Sequence, residues 1–117
     1  MRHLLILNDP PYGTERSFNG LRMAHALAKH EPEGIVTVFL MADAVVCAKK
    51  GQKTPDGYYN MERMLRRVLS ANGRVLLCGT CMDSRGLSDD EVIDGATRST
   101  MNELAQATLA ADKVLVF

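Results

Sequence analysis

Four short apolar runs punctuate the chain, and each has the length and composition of a strand. They are His3–Leu7, Ile35–Met41, Arg74–Cys78 and Lys113–Phe117. Ile35–Met41 reads IVTVFLM, rich in β-branched and aromatic residues, as expected of a strand buried on both faces. Ala96–Arg98 is a brief further candidate. Between these runs the apolar period changes from continuous to helical. From Glu15 to Lys29, Phe18, Leu21, Ala24, Leu27 and Ala28 recur at helical spacing. Thr14 is placed to cap that helix, and Pro32 with Gly34 ends it.

Asp43 opens a short helix from Ala44 to Lys50, with two lysines at the end where the dipole favours cations and Gly51 to close it. Asn60 caps a further helix carrying Met61, Met64, Leu65, Val68 and Leu69 on one stripe, with Glu62 and Arg66 paired on the outer face. Asn72-Gly73 stops it. Ser88 and Glu91 have capping-box spacing, so a helical turn follows Gly86. Thr100 and Glu103 repeat that spacing ahead of Met101, Leu104, Ala105, Thr108 and Leu109. Strands alternating with helices predict one α/β domain over 1–117, with a largely parallel sheet of four or five strands and helices on both faces.

Composition changes this picture little. Of 117 residues, 46% are apolar and 24% charged, which suits a single soluble domain. Lys+Arg and Asp+Glu are both 14, so the net charge is zero. That gives no electrostatic footprint for nucleic acid or an anionic membrane, and it permits close self-association. No apolar run reaches the roughly 20 residues of a membrane span. The amino terminus meets Pro10-Pro11 too soon for a signal peptide. Three cysteines without an export signal predict a cytoplasmic protein with reduced thiols.

Chemistry concentrates in Val75–Leu87, VLLCGTCMDSRGL. The strand should present Cys78 at its carboxyl end, the edge where open α/β sheets bind ligands. Backbone N–H groups of a turn containing Gly79, with Arg85 nearby, would favour the thiolate. Cys78 and Cys81 form C-x-x-C, which reads as a redox dithiol, as half a metal site, or as a nucleophile beside a bystander. Zinc needs two more ligands, and His3, His25 and His30 lack metal spacing, so no metal and no cofactor are expected. Free cysteines are also common as small core residues. Cys47, inside AVVCA, fits that description.

The loop Asn8–Gly13, NDPPYG, should lie at the same sheet edge as Cys78. Asn8, Tyr12 and Gly13 are candidate binding residues beside a helix start, although the loop lacks the glycines and Lys-Ser/Thr of a phosphate motif. Tyr58 and Tyr59 read as aromatics of an exposed loop.

The spacing C-x-x-C-x-x-x-R-G resembles the cysteine motif of the DsrE/DsrF-like family, and within it the YchN branch. NDPPYGTERSFNGLRMA, FLMADAV, KKGQKTPDGYYN and LAADKVLVF extend the likeness over the whole chain. The resemblance implies a compact α/β fold, homo-oligomers with a hexamer favoured, and sulfur carried as a cysteine persulfide. The family's sulfur-bearing cysteine ends a strand eight residues before the glycine of the R-G pair, and Cys78 and Gly86 match that spacing. Cys81 stands where many carriers have a small apolar residue.

The resulting expectation is a sulfurtransferase or sulfur carrier acting between donor and acceptor proteins. In it Cys78 takes sulfane sulfur, Cys81 resolves it and Arg85 stabilises the thiolate, with Gly79 and Gly86 shaping the site. Two alternatives stand beside it: a non-catalytic oligomeric module that binds a small anion or partner peptide, and a C-x-x-C dithiol redox protein. Thiol reactivity separates them, because a carrier needs an accessible cysteine of low pKa.

Overall fold

Alternating strands and helices build a single parallel sheet. The computed structural model describes residues 1–117. Strand β1 (Arg2–Leu7) leads to α1 (Arg16–His30), β2 (Ile35–Leu40), a 3-10 helix over Ala42–Ala48, and α2 (Met61–Ser70). Then follow β3 (Arg74–Cys78), α3 (Gly79–Ser84), a 3-10 turn at Asp89–Glu91, β4 (Ala96–Ser99), α4 (Met101–Ala110) and β5 (Lys113–Val116). The strand order is β4-β3-β2-β1-β5, and every neighbouring pair is parallel. All five carboxyl ends therefore lie along one edge.

Register sorts the side chains. Val38 lies beside Val75 and Leu40 beside Leu77; Phe39 lies beside Leu76, and Cys78 beside Ser99. Because successive side chains point to opposite faces, these make two sets. Helices α1 and α2 cover the face that carries Val36, where Ala24, Ala28 and Val68 approach it. Helix α4 covers the opposite face, with Ala107 and Ala110 over Leu4 and Thr37. Layers of helix, sheet and helix result. The cover is uneven: Leu104 is the one buried residue of α4, and Met101, Leu109, Val114 and Val116 are exposed on α4 and β5.

Several local expectations hold. Asn60 accepts the Arg63 N–H at 3.0 Å and Thr100 accepts that of Glu103 at 3.1 Å, each capping its helix. Glu62 and Arg66 pair at 2.8 Å. Ser88 and Glu91 form a complete capping box. The short run after Gly95 is a true strand, held beside β3.

Three details differ. Thr14 does not cap α1; its hydroxyl donates to the Asp9 carboxylate at 3.0 Å, and α1 starts at Arg16 without a side-chain cap. Asp43 does not cap an α-helix either. Met41 precedes a 3-10 helix, and Asp43 sits in its first turn, bonded to Arg85. Finally, no free turn follows Cys78, because α3 begins at the next residue.

Candidate functional site

Strand β3 runs directly into α3, so Cys78 is at once the last strand residue and the helix N-cap. The first N–H groups of a helix have no intrahelical partner. The Cys81 N–H meets the Cys78 sulfur at 3.4 Å, and the Thr80 hydroxyl lies 3.3 Å from the same atom. Gly79 is needed for room rather than for an unusual φ. A Cβ there would stand 3.0 Å from the Arg98 Nε and 3.1 Å from the Ser99 carbonyl oxygen, so β4 passes close only because Gly79 has no side chain.

Cys81, one helical turn on, has a different donor. The Ala42 N–H reaches its sulfur at 3.2 Å. Ala42 has φ +50°, in the left-handed region that a β-carbon disfavours by about 1–2 kcal/mol. That turn swings the chain out of β2 toward α3. Arg85 completes the junction. Its Nε and Nη2 each lie 2.9 Å from Asp43 Oδ1, and Nη1 donates to the Cys81 carbonyl at 3.1 Å and to Ser84 Oγ at 2.9 Å. The guanidinium thus ties the end of α3 to the 3-10 helix.

The three thiols are electrostatically distinct. Burial pushes the Cys78 thiol up, but hydrogen bonds from the Cys81 thiol, the Thr80 hydroxyl and the two backbone N–H groups together outweigh it and leave its pKa lowered. Cys81 moves the other way, through burial and through donating to Cys78; the Ala42 N–H and the more remote charge of Arg85 oppose the rise. Arg85 therefore acts on Cys81, and the hydrogen bonds around Cys78 favour its thiolate. Burial raises Cys47 to about 12.

Cys78 is itself largely buried, 7% exposed, and borders a cleft of about 250 Å³ between β2, β3 and β4. Phe39, Met41 and Met101 give it apolar walls, and Arg98 and Ser99 come from β4. Arg98 is held by Asp83 at 2.6 Å and by Asp89 at 3.6 Å. Ser99 is 3% exposed, and its hydroxyl has no hydrogen-bond partner. Thr80, Ala42, Arg98 and Ser99 escaped the sequence reasoning. The signal for the β4 pair was the brief strand Ala96–Arg98, whose pairing partner no local pattern reveals.

The Asn8–Gly13 loop lies at the same edge but over β1, two strands or about 10 Å from β3. The Asn8 backbone N–H donates to the Phe117 carbonyl at 3.0 Å and its side-chain amide at 3.2 Å. The Tyr12 hydroxyl donates to Gln52 Oε1 at 2.5 Å and accepts the Met61 N–H at 3.1 Å. Gly13 occupies φ +99°, and Gly86 ends α3 at φ +62°. The structure brings Cys78, Cys81 and Gly79 together, with Arg85 behind them, and leaves Asn8, Tyr12 and Gly13 outside the cleft. Of the two loop tyrosines, Tyr58 is exposed, whereas Tyr59 stacks on Phe18 with centroids 4.2 Å apart.

The sequence and the fold are shared with known proteins. The chain is 46% identical to Protein YchN of Escherichia coli K12 over 114 residues, 97% of each sequence. The crystal structure of the E. coli ychN protein superposes with a TM-score of 0.92 at 47% identity, covering 100% of both chains. A more distant likeness, 27% over 129 residues and the full length of both, is to Sulfurtransferase TusD of Salmonella arizonae. The model of the DsrE/DsrF-like family matches residues 1–117 from end to end, and the chain belongs to that family.

Proposed function

We propose that this protein carries sulfane sulfur as a persulfide on Cys78, receiving it from a donor protein and passing it to an acceptor. One observation carries the reading. Of the three thiols, Cys78 alone both lines the strand-end cleft and has a lowered pKa. The thiolate is the attacking species, and one that titrates nearer ambient pH balances abundance against nucleophilicity. Kinship with TusD, a protein named as a sulfurtransferase, supports a place in a sulfur relay. Arg85 is a positioning residue here, since it fixes α3 against Asp43. Neither Gly86 nor the Asn8–Gly13 loop lines the cleft, so their part is to shape the sheet edge.

Intact mass after incubation with a persulfide donor tests the proposal. Wild type gains one sulfur per chain, Cys47→Ser gains the same, and Cys78→Ser gains none with its oligomer unchanged. Undiminished loading of Cys78→Ser, or no loading of wild type by any donor, overturns the reading.

A dithiol role has its own support in the C-x-x-C. Cys81 lies one helical turn beyond Cys78, and residues at that spacing have Cβ atoms about 5–6 Å apart. A disulfide needs Cβ atoms about 3.5–4.5 Å apart, so bridging the pair takes a backbone shift of about 1–2 Å in the first turn of α3. Mild oxidant then joins Cys78 to Cys81 and leaves Cys47 free. Peptide mapping reads the pairing, and a bridge to Cys47 would sink this role.

We further propose a homo-oligomer, with a hexamer favoured, in a reducing cytoplasm. The exposed apolar residues of α4 and β5, with Leu109 at 88% and Val116 at 65%, offer the surface such an assembly would bury. No helix is long and apolar enough to cross a membrane. Light scattering at micromolar concentration decides the assembly, and a monomer mass refutes it.

A further inference from the structure

We propose that the Ser99 hydroxyl is the hydrogen-bond partner of the outer sulfur of the Cys78 persulfide. The inference rests on the persulfide reading and names the residue that holds the cargo.

A hydroxyl buried without a partner is costly, about 1–3 kcal/mol, and native interiors contain few of them. Ser99 Oγ is such a group, and Ser99 lines the same cleft as Cys78. Cys78 and Ser99 are register partners on adjacent parallel strands, so their side chains leave the same face of the sheet. Adjacent strands are about 4.8 Å apart. A sulfur added about 2 Å beyond the Cys78 Sγ on that shared face comes within reach of the Ser99 hydroxyl.

The other polar side chains of the cleft, Thr80, Asp83, Arg98 and Thr100, are exposed and can be served by solvent, whereas Ser99 is buried. The Thr80 hydroxyl and the Cys81 N–H already meet the inner sulfur. Arg98 is bound to Asp83 and Asp89, and the Thr100 hydroxyl accepts the Glu103 N–H. Phe39, Met41 and Met101 offer no donor. A hydroxyl suits either protonation state of the cargo, since it donates to a terminal S⁻ and accepts from S–H.

The chemistry needs no co-reactant beyond a donor persulfide, R–S–SH. The Cys78 thiolate attacks its outer sulfur, and the new S–S bond forms as the donor's S–S bond breaks. The electron pair leaves with R–S⁻, so the donor is reduced to a thiolate while Cys78 is oxidised to a persulfide. The S–H proton stays on the transferred sulfur. Ser99 moves no proton; it holds the product in place.

A carrier role and a merely structural role for Ser99 predict opposite pairs of results for Ser99→Ala. If the hydroxyl waits for cargo, the variant melts no lower than wild type when unloaded, and its Cys78 alkylates at the wild-type rate. It then loses loaded sulfur to a thiol acceptor about tenfold faster, the effect of one hydrogen bond to a charged group. Ser99→Thr, which keeps the hydroxyl, retains sulfur as wild type does. Retention by Ser99→Ala equal to wild type overturns this inference and leaves the Cys78 reading intact. A lowered melting point in unloaded Ser99→Ala assigns the hydroxyl a structural role and also overturns it. Failure of wild type to load at all is a failure of the persulfide reading, and the inference falls with it.

Discussion

The ends of β1 and β3 lie on the same edge of the same sheet, yet one is closed and the other open. After β1, the polar groups satisfy each other. Asn8 holds the Phe117 carbonyl, Ser17 donates to the Asp9 carbonyl, Thr14 donates to the Asp9 carboxylate, and Tyr12 bridges Gln52 and the Met61 N–H. The thiol nearest this region, Cys47, is fully buried with its sulfur 4.0 Å from the Asp9 carbonyl. After β3, a thiol borders a cleft, helix N–H groups point at it, and the neighbouring hydroxyl has no partner. Position at a strand end therefore does not make a site. What distinguishes the two ends is whether the local polar groups are satisfied from within.

Reactivity breaks or upholds this contrast most sharply. Near neutral pH Cys78 alkylates at least tenfold faster than Cys47, because its thiolate is favoured and it borders the cleft. Peptide-resolved labelling over time measures the ratio. Equal rates would mean that the buried thiol opens as readily as the cleft thiol, and the distinction between the two strand ends would be lost.

The closed end makes its own prediction in alkali. Cys47 holds its proton more tightly folded than unfolded, with a folded value of about 12 against an ordinary 9.0. Above pH 9 the unfolded chain releases that proton while the folded chain keeps it, so the unfolded state binds fewer protons and stability falls as pH rises. The slope is about 1.4 kcal/mol per pH unit between those values. Between pH 8.5 and 10.5 wild type should therefore lose about 2 kcal/mol more stability than Cys47→Ala, read by urea unfolding. Parallel curves would show that Cys47 ionises as easily in the fold as outside it.

The close passage of β4 over α3 is the next target. Gly79→Ala puts a methyl 3.0–3.1 Å from Arg98 Nε and the Ser99 backbone oxygen. Arg98 can shift, but a backbone carbonyl in a sheet yields less. Overpacking of this kind costs about 1–3 kcal/mol. The substitution should lower the denaturation midpoint and slow sulfur loading, since β4 forms one wall of the cleft. An unchanged midpoint would mean that the strand is free to move away.

Most of the fold was legible because it is written in local periods. The strand runs and the Asn60 and Thr100 caps needed only neighbours in sequence, and the structure places them as expected. Helix α3 was not legible. Its six residues, GTCMDS, are too few to show a period, and it forms because β3 delivers it against the 3-10 helix. Cys78 was visible from its place at the end of an apolar run. Ser99 was not, since its burial comes from pairing with a strand twenty-one positions earlier in the numbering. Thr14 failed as a cap because α1 starts at Arg16 with Glu15 at the N-cap position, which leaves Thr14 one residue outside, its hydroxyl donating to Asp9. Arg85 was visible as a cation near the thiols, but its partner Asp43 lies 42 positions away, and that pairing turns its charge toward Cys81.

Arg85 supplies the smallest and most specific test of the open end. Its bond to Asp43 lies at the surface, with the two side chains 31% and 59% exposed. Water and salt screen such pairs, and exposed ones contribute about 0–1 kcal/mol. Arg85→Ala should therefore cost less than about 1 kcal/mol of stability and leave the rate of Cys78 alkylation within twofold of wild type, because hydrogen bonds rather than this charge favour the Cys78 thiolate. Cys81 should respond instead. Losing a nearby positive charge removes one of the influences that oppose its raised pKa, so its alkylation slows near pH 8. Labelling both cysteines in one digest gives the two rates together. If Arg85→Ala slows Cys78 and spares Cys81, the guanidinium acts on the carrier thiol directly, and the junction at α3 is a charge device rather than a brace.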